Sequence, residues 1–150
     1  MANDLFVELQ EKLEGKKVRI VFPEAYDERV LEAAVKLSAT SYVQPVLVGK
    51  KEKVEELAKP LSLDVSSIEF VDHENYEQYD EMVAKFVERR AGKATEEKAR
   101  ELLKDVNYFG TMLVYTGKVE GLVSGAIHST GDTVRPALQI IKTKPGTKRT

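Results

Sequence analysis

The chain has 150 residues, of which 42% are hydrophobic and 32% are charged, and its formal net charge is −2 at pH 7. These values are typical of a globular domain in water, and the balanced charge argues against a nucleic-acid-binding protein. Because cysteine is absent, the sequence excludes a disulfide framework, a thiolate metal site and a cysteine nucleophile within these residues.

The distribution of apolar residues predicts alternating helices and strands along the chain. The first predicted element is a helix that carries Leu5, Phe6, Leu9 and Leu13 on one face and stops at Gly15. The rest of the first half contains predicted strands at residues 18–22, 46–48 and 68–71. Between these strands, a helix from Asp27 and a helix at 51–59 that Pro60 ends are predicted. In the second half, they are helices at 76–90, 95–103 and 107–115, with Thr95 as an N-cap, then a strand at 121–126 and a helix from Val134. This alternation predicts an α/β fold in which helices cover both faces of a mostly parallel sheet, in one domain over residues 1–150.

The most informative stretch is residues 121–142, which read GLVSGAIHSTGDTVRPALQIIK. Here a predicted strand leads into a turn of small and polar residues, and a helix follows. Turns of this kind hold anionic ligands in α/β proteins, because free backbone N–H groups and the positive end of the helix dipole converge there.

Side chains in and after this turn add further donors for an anion. The guanidinium of Arg135 can bind a phosphate or a carboxylate through two hydrogen bonds, and three hydroxyl groups lie nearby: Ser129, Thr130 and Thr133. A plainer interpretation stays open at this point. Asp132 or Thr133 can be an ordinary N-cap, with Pro136 near the start of the helix and Arg135 as a solvated charge.

Several segments together resemble the phosphate acetyltransferases, or phosphotransacetylases, and the related phosphate butyryltransferases. The segments are residues 21–34 (VFPEAYDERVLEAA), 45–49 (PVLVG), Arg89 with Arg90, and 107–143, which includes the turn. The resemblance runs over nearly the whole chain. It implies a three-layer α/β/α fold within a two-domain architecture similar to that of isocitrate dehydrogenase, with the active site between the domains.

The resemblance also implies an activity, which is reversible acetyl transfer from acetyl-CoA to phosphate to give acetyl phosphate and CoA. Such chemistry needs an anion pocket, a base for the thiol and donors for a tetrahedral oxyanion, but no metal or redox cofactor. The implied partners are these small molecules and a second copy in a homodimer. No secretory signal and no membrane span are recognisable, so we expect a cytoplasmic location without membrane partners.

The resemblance assigns substrate-binding roles to particular residues. It places a functional arginine at Arg135, with the three hydroxyl residues around the same anion, and a second arginine at Arg89, although Arg90 is an alternative. Without the resemblance, two arginines at the end of a helix are more typical of solvated charges. Asp132 is expected to cap the helix or orient Arg135, and Glu24 is expected to line the cleft after the first strand.

The two histidines are expected to be outside the catalytic machinery. His128 adjoins the turn and is predicted to be packed or hydrogen-bonded, whereas His73 is predicted to be exposed. Their spacing does not match a zinc motif, so no metal site is expected.

The family is generally much longer than this chain, which is therefore interpreted as the N-terminal part of a larger enzyme. The base and the thiolate-orienting groups of the family, an Asp with a Ser-Arg pair, belong to the C-terminal half and match no position here. We therefore assign no catalytic residue within these residues, and we expect the chain alone to be inactive. A sheet without its remaining neighbours is also expected to expose apolar faces, and so to be marginally stable or to associate.

Three alternatives to a phosphate acetyltransferase remain at this point. The first is a phosphate butyryltransferase, which would differ in its acyl pocket. The second is a non-catalytic domain that binds acetyl-CoA or acetyl phosphate as an effector. The third is an interaction module in which the turn merely caps a helix, and in which replacing Arg135 would not alter anion binding.

Overall fold

The computed structural model describes the backbone of residues 2–148 and the side chains from residue 4 onward. Met1 and residues 149–150 of the predicted domain lie outside this range. The described part contains four strands: β1 (Val18–Phe22), β2 (Val43–Val48), β3 (Glu69–Val71) and β4 (Gly121–Leu122). It also contains seven α-helices: α1 (Ala2–Leu13), α2 (Glu28–Ser38), α3 (Lys51–Ala58), α4 (Tyr79–Arg90), α5 (Glu96–Leu102), α6 (Val106–Tyr115) and α7 (Thr130–Ile140).

Local sequence signals fix the ends of several helices as predicted. Asp27 is the N-cap of α2, and its carboxylate accepts hydrogen bonds from the backbone N–H groups of Arg29 and Val30. Thr95 caps α5 in the same way through the N–H of Lys98. After α3, a short 3-10 turn (Lys59–Leu61) contains Pro60, which cannot continue an α-helix because it lacks an N–H group.

All strand pairs are parallel, and the strand order is β3-β2-β1-β4. In the register, Ile20 of β1 lies opposite Gly121 of β4 on one side and opposite Pro45 of β2 on the other. Because parallel strands end at the same edge of the sheet, the loops after the four strands lie along one edge.

Two apolar cores lie on opposite faces of the sheet. Val21, Val46 and Val48 belong to the core that α4, α6 and α7 cover, whereas Phe22 and Leu47 belong to the core that α2 and α3 cover. This assignment follows from the strand period of two, which sends successive side chains to opposite faces. The predicted three-layer α/β/α fold with a mostly parallel sheet is therefore confirmed.

Some apolar surface stays open to solvent. The amphipathic helix α1 lies outside the two cores, and the exposed fractions of four of its apolar side chains range from 45% to 65% (Leu5, Phe6, Val7 and Leu9). His73 differs from its prediction, because it is only half-exposed: its ring packs edge-on against Phe109, with ring centres 5.9 Å apart.

Candidate functional site

The candidate site lies where the carboxyl ends of β1 and β4 meet. After β1 the chain continues to β2 and β3 on one side, and β4 then pairs with β1 on the other side. In open α/β sheets, such a reversal leaves a crevice between the loops that follow the two strands, and ligands bind in that crevice. Here Glu24 follows β1, and residues 123–129, which we call the β4–α7 loop, follow β4.

A buried carboxylate, that of Glu24, holds the β4–α7 loop. Its side chain is 1% exposed. Oε1 accepts hydrogen bonds from the backbone N–H groups of Gly125 and Ala126 at 2.7 and 2.8 Å. Oε2 accepts those of Ile127 and His128 at 2.7 and 3.0 Å. Consecutive N–H groups that converge in this way form an anion-binding concavity, and Glu24 already fills it.

The hydrogen bonds to Glu24 favour its ionised form. Burial alone raises the pKa of this carboxyl, but the side chain of His128 and the backbone N–H groups of the loop lower it to about 2. Glu24 is therefore a fixed negative charge within the protein near neutral pH. Its expected role as a residue that lines the cleft for substrate stays a prediction: Glu24 is among the residues that line a cavity beside α2, but its two oxygens bind the loop.

The contacts with Glu24 also explain why β4 is short. The strand predicted over residues 121–126 ends at Leu122, although the N–H of Val123 still donates to the carbonyl oxygen of Val21 at 3.0 Å. From Gly125 onward the backbone N–H groups point to Glu24 instead of to β1, so the ladder ends. A local sequence pattern gives no sign of an acceptor that lies about 100 residues away.

Two polar side chains support the loop from neighbouring elements. Ser124 Oγ lies 3.1 Å from Glu24 Oε1 and 2.6 Å from the side-chain amide of Asn107, a residue of α6 that is 1% exposed. The atom of Asn107 in this contact is Oδ1, which is an acceptor like Glu24 Oε1, so the single hydroxyl hydrogen of Ser124 is donated to one of the two. From α2, the guanidinium of Arg29 donates to the carbonyl oxygen of Ala126 at 2.9 Å.

His128 is hydrogen-bonded, in agreement with its prediction. Its Nδ1 lies 2.8 Å from Glu24 Oε2, and its Nε2 lies 4.0 Å from Oδ2 of Asp105, the N-cap of α6. The imidazole therefore lies between two carboxylates, one buried and one half-exposed. Asp105, Asn107, Ser124 and Arg29 are absent from the residues that the sequence singled out, because only their contacts with the loop identify them.

The helix after the loop begins earlier than predicted. Its first residue is Thr130 instead of Val134, and its N-cap is Ser129 instead of Asp132 or Thr133. Ser129 Oγ accepts the N–H of Asp132 at 3.2 Å and donates to the carboxylate of Asp132 at 2.7 Å. The reciprocal contact supports the expectation that Asp132 belongs to the cap.

The early start of α7 moves Pro136 and Arg135 away from its first turn. Pro136 lies inside the helix, so the carbonyl oxygen of Asp132 loses the hydrogen bond that an N–H four residues later would give. The prediction that Pro136 occupies an early position without such a loss is wrong. Arg135 lies in the second turn, where its side chain is 59% exposed and Nη1 lies 3.4 Å from Asp132 Oδ1.

Donors for a ligand remain at the start of α7. In the described part of the chain, the backbone N–H groups of Thr130 and Gly131 and the hydroxyl of Thr130 have no hydrogen-bond partner. The hydroxyl of Thr133 donates to the carbonyl oxygen of Ser129 at 2.9 Å. A cavity of about 210 Å³ adjoins these groups, and its lining residues are Ser124, Gly125, His128, Thr130, Thr133 and Val134.

The second predicted arginine lies at the opposite end of α7. Arg89 donates from Nε to the carbonyl oxygen of Ile140 at 2.6 Å and from Nη2 to that of Ile141 at 2.9 Å. The structure thus does not bring Arg89 to the start of α7, and a substrate-binding role for it stays a prediction. Arg90, the alternative, lies near Arg135, because the charges of both arginines act on Tyr108. Burial raises the pKa of Tyr108, and the positive charges of Arg135 and Arg90 lower it.

Two classes of site find no support in the part of the chain that the structure describes. It contains no group of three or more His, Asp or Glu side chains that is arranged to hold a metal ion. None of its helices combines the length and the apolar character needed to cross a bilayer.

Comparison with known proteins identifies relatives over the whole chain. Residues 4–150 match the family model described as phosphate acetyl/butaryl transferase. Phosphate acetyltransferases of Staphylococcus aureus and Staphylococcus epidermidis are 63% identical over 147 residues, which are 98% of this chain and 45% of each relative. The chain therefore spans less than half the length of the curated relatives that it matches.

Solved structures give the same result for the fold. The EutD phosphotransacetylase from Staphylococcus aureus superposes with a TM-score of 0.91 at 62% identity, over 98% of this chain and 44% of that structure. A phosphotransacetylase from Streptococcus pyogenes superposes with a TM-score of 0.94 at 50% identity, over 99% of this chain and 45% of that structure. The resemblance inferred from the sequence is thus confirmed, and the chain belongs to the phosphate acetyl/butaryl transferase family.

Proposed function

We propose that this chain is the N-terminal part of a phosphate acetyltransferase, and that it binds the phosphate group of acetyl phosphate or inorganic phosphate. The complete protein would transfer an acetyl group reversibly between CoA and phosphate. The observation that carries the proposal is the cavity at the start of α7. It lies at the reversal point of the sheet, and unpaired N–H groups and a hydroxyl adjoin it.

In this proposal the phosphate binds at the start of α7. The N–H groups of Thr130 and Gly131 would donate to its oxygens, and the positive end of the helix dipole would favour its charge. Of the predicted hydroxyl ligands, Thr130 can donate directly. Thr133 and Ser129 would have to turn from the acceptors that they now bind. Arg135 is exposed and only weakly paired, so its side chain is available to complete the charge of the site.

The size of the cavity supports separate binding surfaces for phosphate and for CoA in the complete protein. About 210 Å³ accommodates a phosphate or an acetyl phosphate, but not a whole coenzyme A, which exceeds the usual drug-sized ligand. The CoA surface and the base for the thiol would then lie in the part of the relatives that this chain does not cover. The same part would cover the apolar face of α1. By the family resemblance, we also propose a cytoplasmic homodimer that acts without a resident cofactor.

Acetyl transfer is preferred over the alternatives because of the relatives. The matching family includes both acyl specificities, but the curated relatives at 63% identity are named phosphate acetyltransferases. A non-catalytic effector domain or an interaction module would not need the residues of the complete enzyme, so an activity measurement separates these possibilities.

The test is an assay of the complete natural polypeptide that contains these residues, beside this chain alone. We expect the complete protein to form acetyl-CoA from acetyl phosphate and CoA, and to use acetyl phosphate in preference to butyryl phosphate. We expect the chain alone to be inactive but to bind inorganic phosphate in isothermal titration calorimetry. Inactivity of the complete protein towards both acyl phosphates would contradict the proposal.

A further inference from the structure

We infer that His128 is the proton-transfer residue for the phosphate oxygen in the proposed reaction, with Glu24 as the residue that positions it. This inference rests on the proposed function and extends it. Neither the sequence nor the family resemblance gave His128 such a role.

The hydrogen bond to Glu24 fixes which ring nitrogen carries the hydrogen. An ionised carboxylate can only accept, so Nδ1, at 2.8 Å from Glu24 Oε2, must be the donor. In a neutral imidazole, Nε2 is then an acceptor with a free lone pair. Asp105 Oδ2 cannot satisfy that lone pair, because it is itself an acceptor and lies 4.0 Å away.

Two carboxylates flank the ring of His128. That of Glu24 contacts Nδ1, and Oδ2 of Asp105 lies 4.0 Å from Nε2. The next charged groups are Arg29, which binds the carbonyl oxygen of Ala126, and the Asp132–Arg135 pair on α7. A buried carboxylate that orients a histidine in this way is a recurrent means of preparing a general base.

The position of His128 suits a phosphate substrate. The side chain of His128 is 21% exposed, and the residue lines the cavity of about 210 Å³. Thr130 lines the same cavity, and its N–H and hydroxyl have no partner in the described part of the chain. A phosphate that the start of α7 binds would therefore lie next to the ring. Glu24 occupies the N–H groups of residues 125–128, so the phosphate cannot bind there and is restricted to the cavity side of the loop.

The proposed step conserves atoms and charge. An oxygen of hydrogen phosphate dianion attacks the carbonyl carbon of acetyl-CoA, a C–O bond forms, and the C–S bond breaks with its electron pair going to sulfur. The phosphate proton passes to Nε2 of His128. The products are acetyl phosphate dianion, the CoA thiolate and imidazolium, which returns its proton to the thiolate or to water.

Two substitutions of His128 separate proton transfer from support of the loop. In His128→Asn, the amide nitrogen takes the place of Nδ1 and can still donate to Glu24, but Nε2 is lost. In His128→Gln, the amide nitrogen takes the place of Nε2, but it cannot transfer a proton. If His128 transfers a proton, we expect kcat of the complete protein to fall about 100-fold in both variants, with KM for phosphate changing less.

A merely structural histidine predicts a different pattern. His128→Asn would then keep normal kcat, and only His128→Gln would be impaired. That result would overturn the inference. For Glu24→Gln, which removes the charge but keeps the shape, positioning of His128 predicts a loss in kcat rather than in KM for phosphate. An increase in KM alone would overturn the positioning role.

The controls distinguish this inference from the proposed function. Circular dichroism and thermal unfolding establish that each variant is folded. His73→Asn, at the other histidine, is expected to leave kcat unchanged, because His73 lies beyond β3 and outside the cavity.

If the wild-type protein forms no acetyl phosphate from acetyl-CoA and phosphate, the proposed function fails, and the role of His128 fails with it. If the wild type is active and both variants match it, only the role of His128 fails.

Discussion

The two ends of α7 carry opposite arrangements of backbone groups and arginines. At its C-terminal end, the carbonyl oxygens of Ile140 and Ile141 are occupied by Arg89. At its N-terminal end, the N–H groups of Thr130 and Gly131 have no partner among the described residues. The protein itself supplies the hydrogen-bond partners at the first end, whereas the N–H groups at the second end are open to a ligand.

Sequence position alone therefore does not define the role of an arginine. The family resemblance implies a functional role for both Arg89 and Arg135. Arg89 donates two hydrogen bonds to carbonyl oxygens of the protein, while Arg135 is 59% exposed with one long contact to Asp132. Of these two arginines, only Arg135 is available to an incoming anion without the loss of a well-formed contact.

The largest expected effect comes from the residue that fixes the open end of α7 to the sheet. In Glu24→Ala, four backbone N–H groups of the β4–α7 loop lose their acceptor. We expect the free energy of unfolding of the complete protein to fall by about 3–5 kcal/mol, as when a buried charged contact is broken. Urea titration measures this change. Glu32→Ala on the exposed face of α2 is the matched control and should lose less than about 0.5 kcal/mol.

A smaller effect of the same group follows from its pKa. The pKa of Glu24 is about 2 in the folded protein, against an ordinary value of 4.5. A lowered pKa gives stability that is fully present above pH 4.5 and is lost as the pH falls towards about 2. The loss should amount to about 3 kcal/mol. Urea titrations at several pH values should show it in the wild type and not in Glu24→Gln. An equal acid loss in the variant would assign the effect to other carboxylates.

Replacing each of the two arginines by alanine tests the comparison directly. In Arg135→Ala, we expect KM for phosphate to rise by about 10-fold or more, because a charge-assisted hydrogen bond is worth about 1.5–3 kcal/mol. The unfolding free energy should hardly change. In Arg89→Ala, we expect the reverse, with stability lower by about 1–3 kcal/mol because the carbonyl oxygens of α7 lose a charged donor. Steady-state kinetics and urea titration are the measurements. A higher KM in Arg89→Ala at unchanged stability would instead support the binding role that the resemblance implies.

Local patterns were sufficient to predict most of the fold. Apolar spacing predicted the four strands along the chain, although not their order in the sheet. Asp27 was predicted to start α2 and Thr95 to cap α5, because a helix start depends only on residues within one turn. The β4–α7 loop could not be predicted in this way. Its conformation depends on Glu24, which is about 100 residues distant, and this long-range contact ends β4 early and lets α7 begin at Thr130.

The anion site at this turn stays a prediction, and its hydrogen bonds could not be predicted, for the same reason. The turn, its hydroxyl groups and Arg135 indicated a candidate anion site from residue types alone. The residue types could not show which N–H groups remain open to a ligand, because an internal carboxylate competes for these groups. The same contact places His128 between Glu24 and Asp105, an arrangement that its neighbours in the sequence do not indicate.

The smallest expected effect concerns the cap of the open end. Ser129 caps α7 and Thr95 caps α5, each through one backbone N–H at 3.2 Å. Replacement of either residue by Ala should lower the unfolding free energy by about 1 kcal/mol, because a helix N-cap is lost. Only Ser129→Ala should also raise KM for phosphate, since only α7 directs its first turn to the cavity. Measuring stability and KM for both variants therefore separates the general cost of losing a cap from the specific cost of disturbing the phosphate site. If the two variants changed KM equally, the start of α7 would have no special part in binding phosphate.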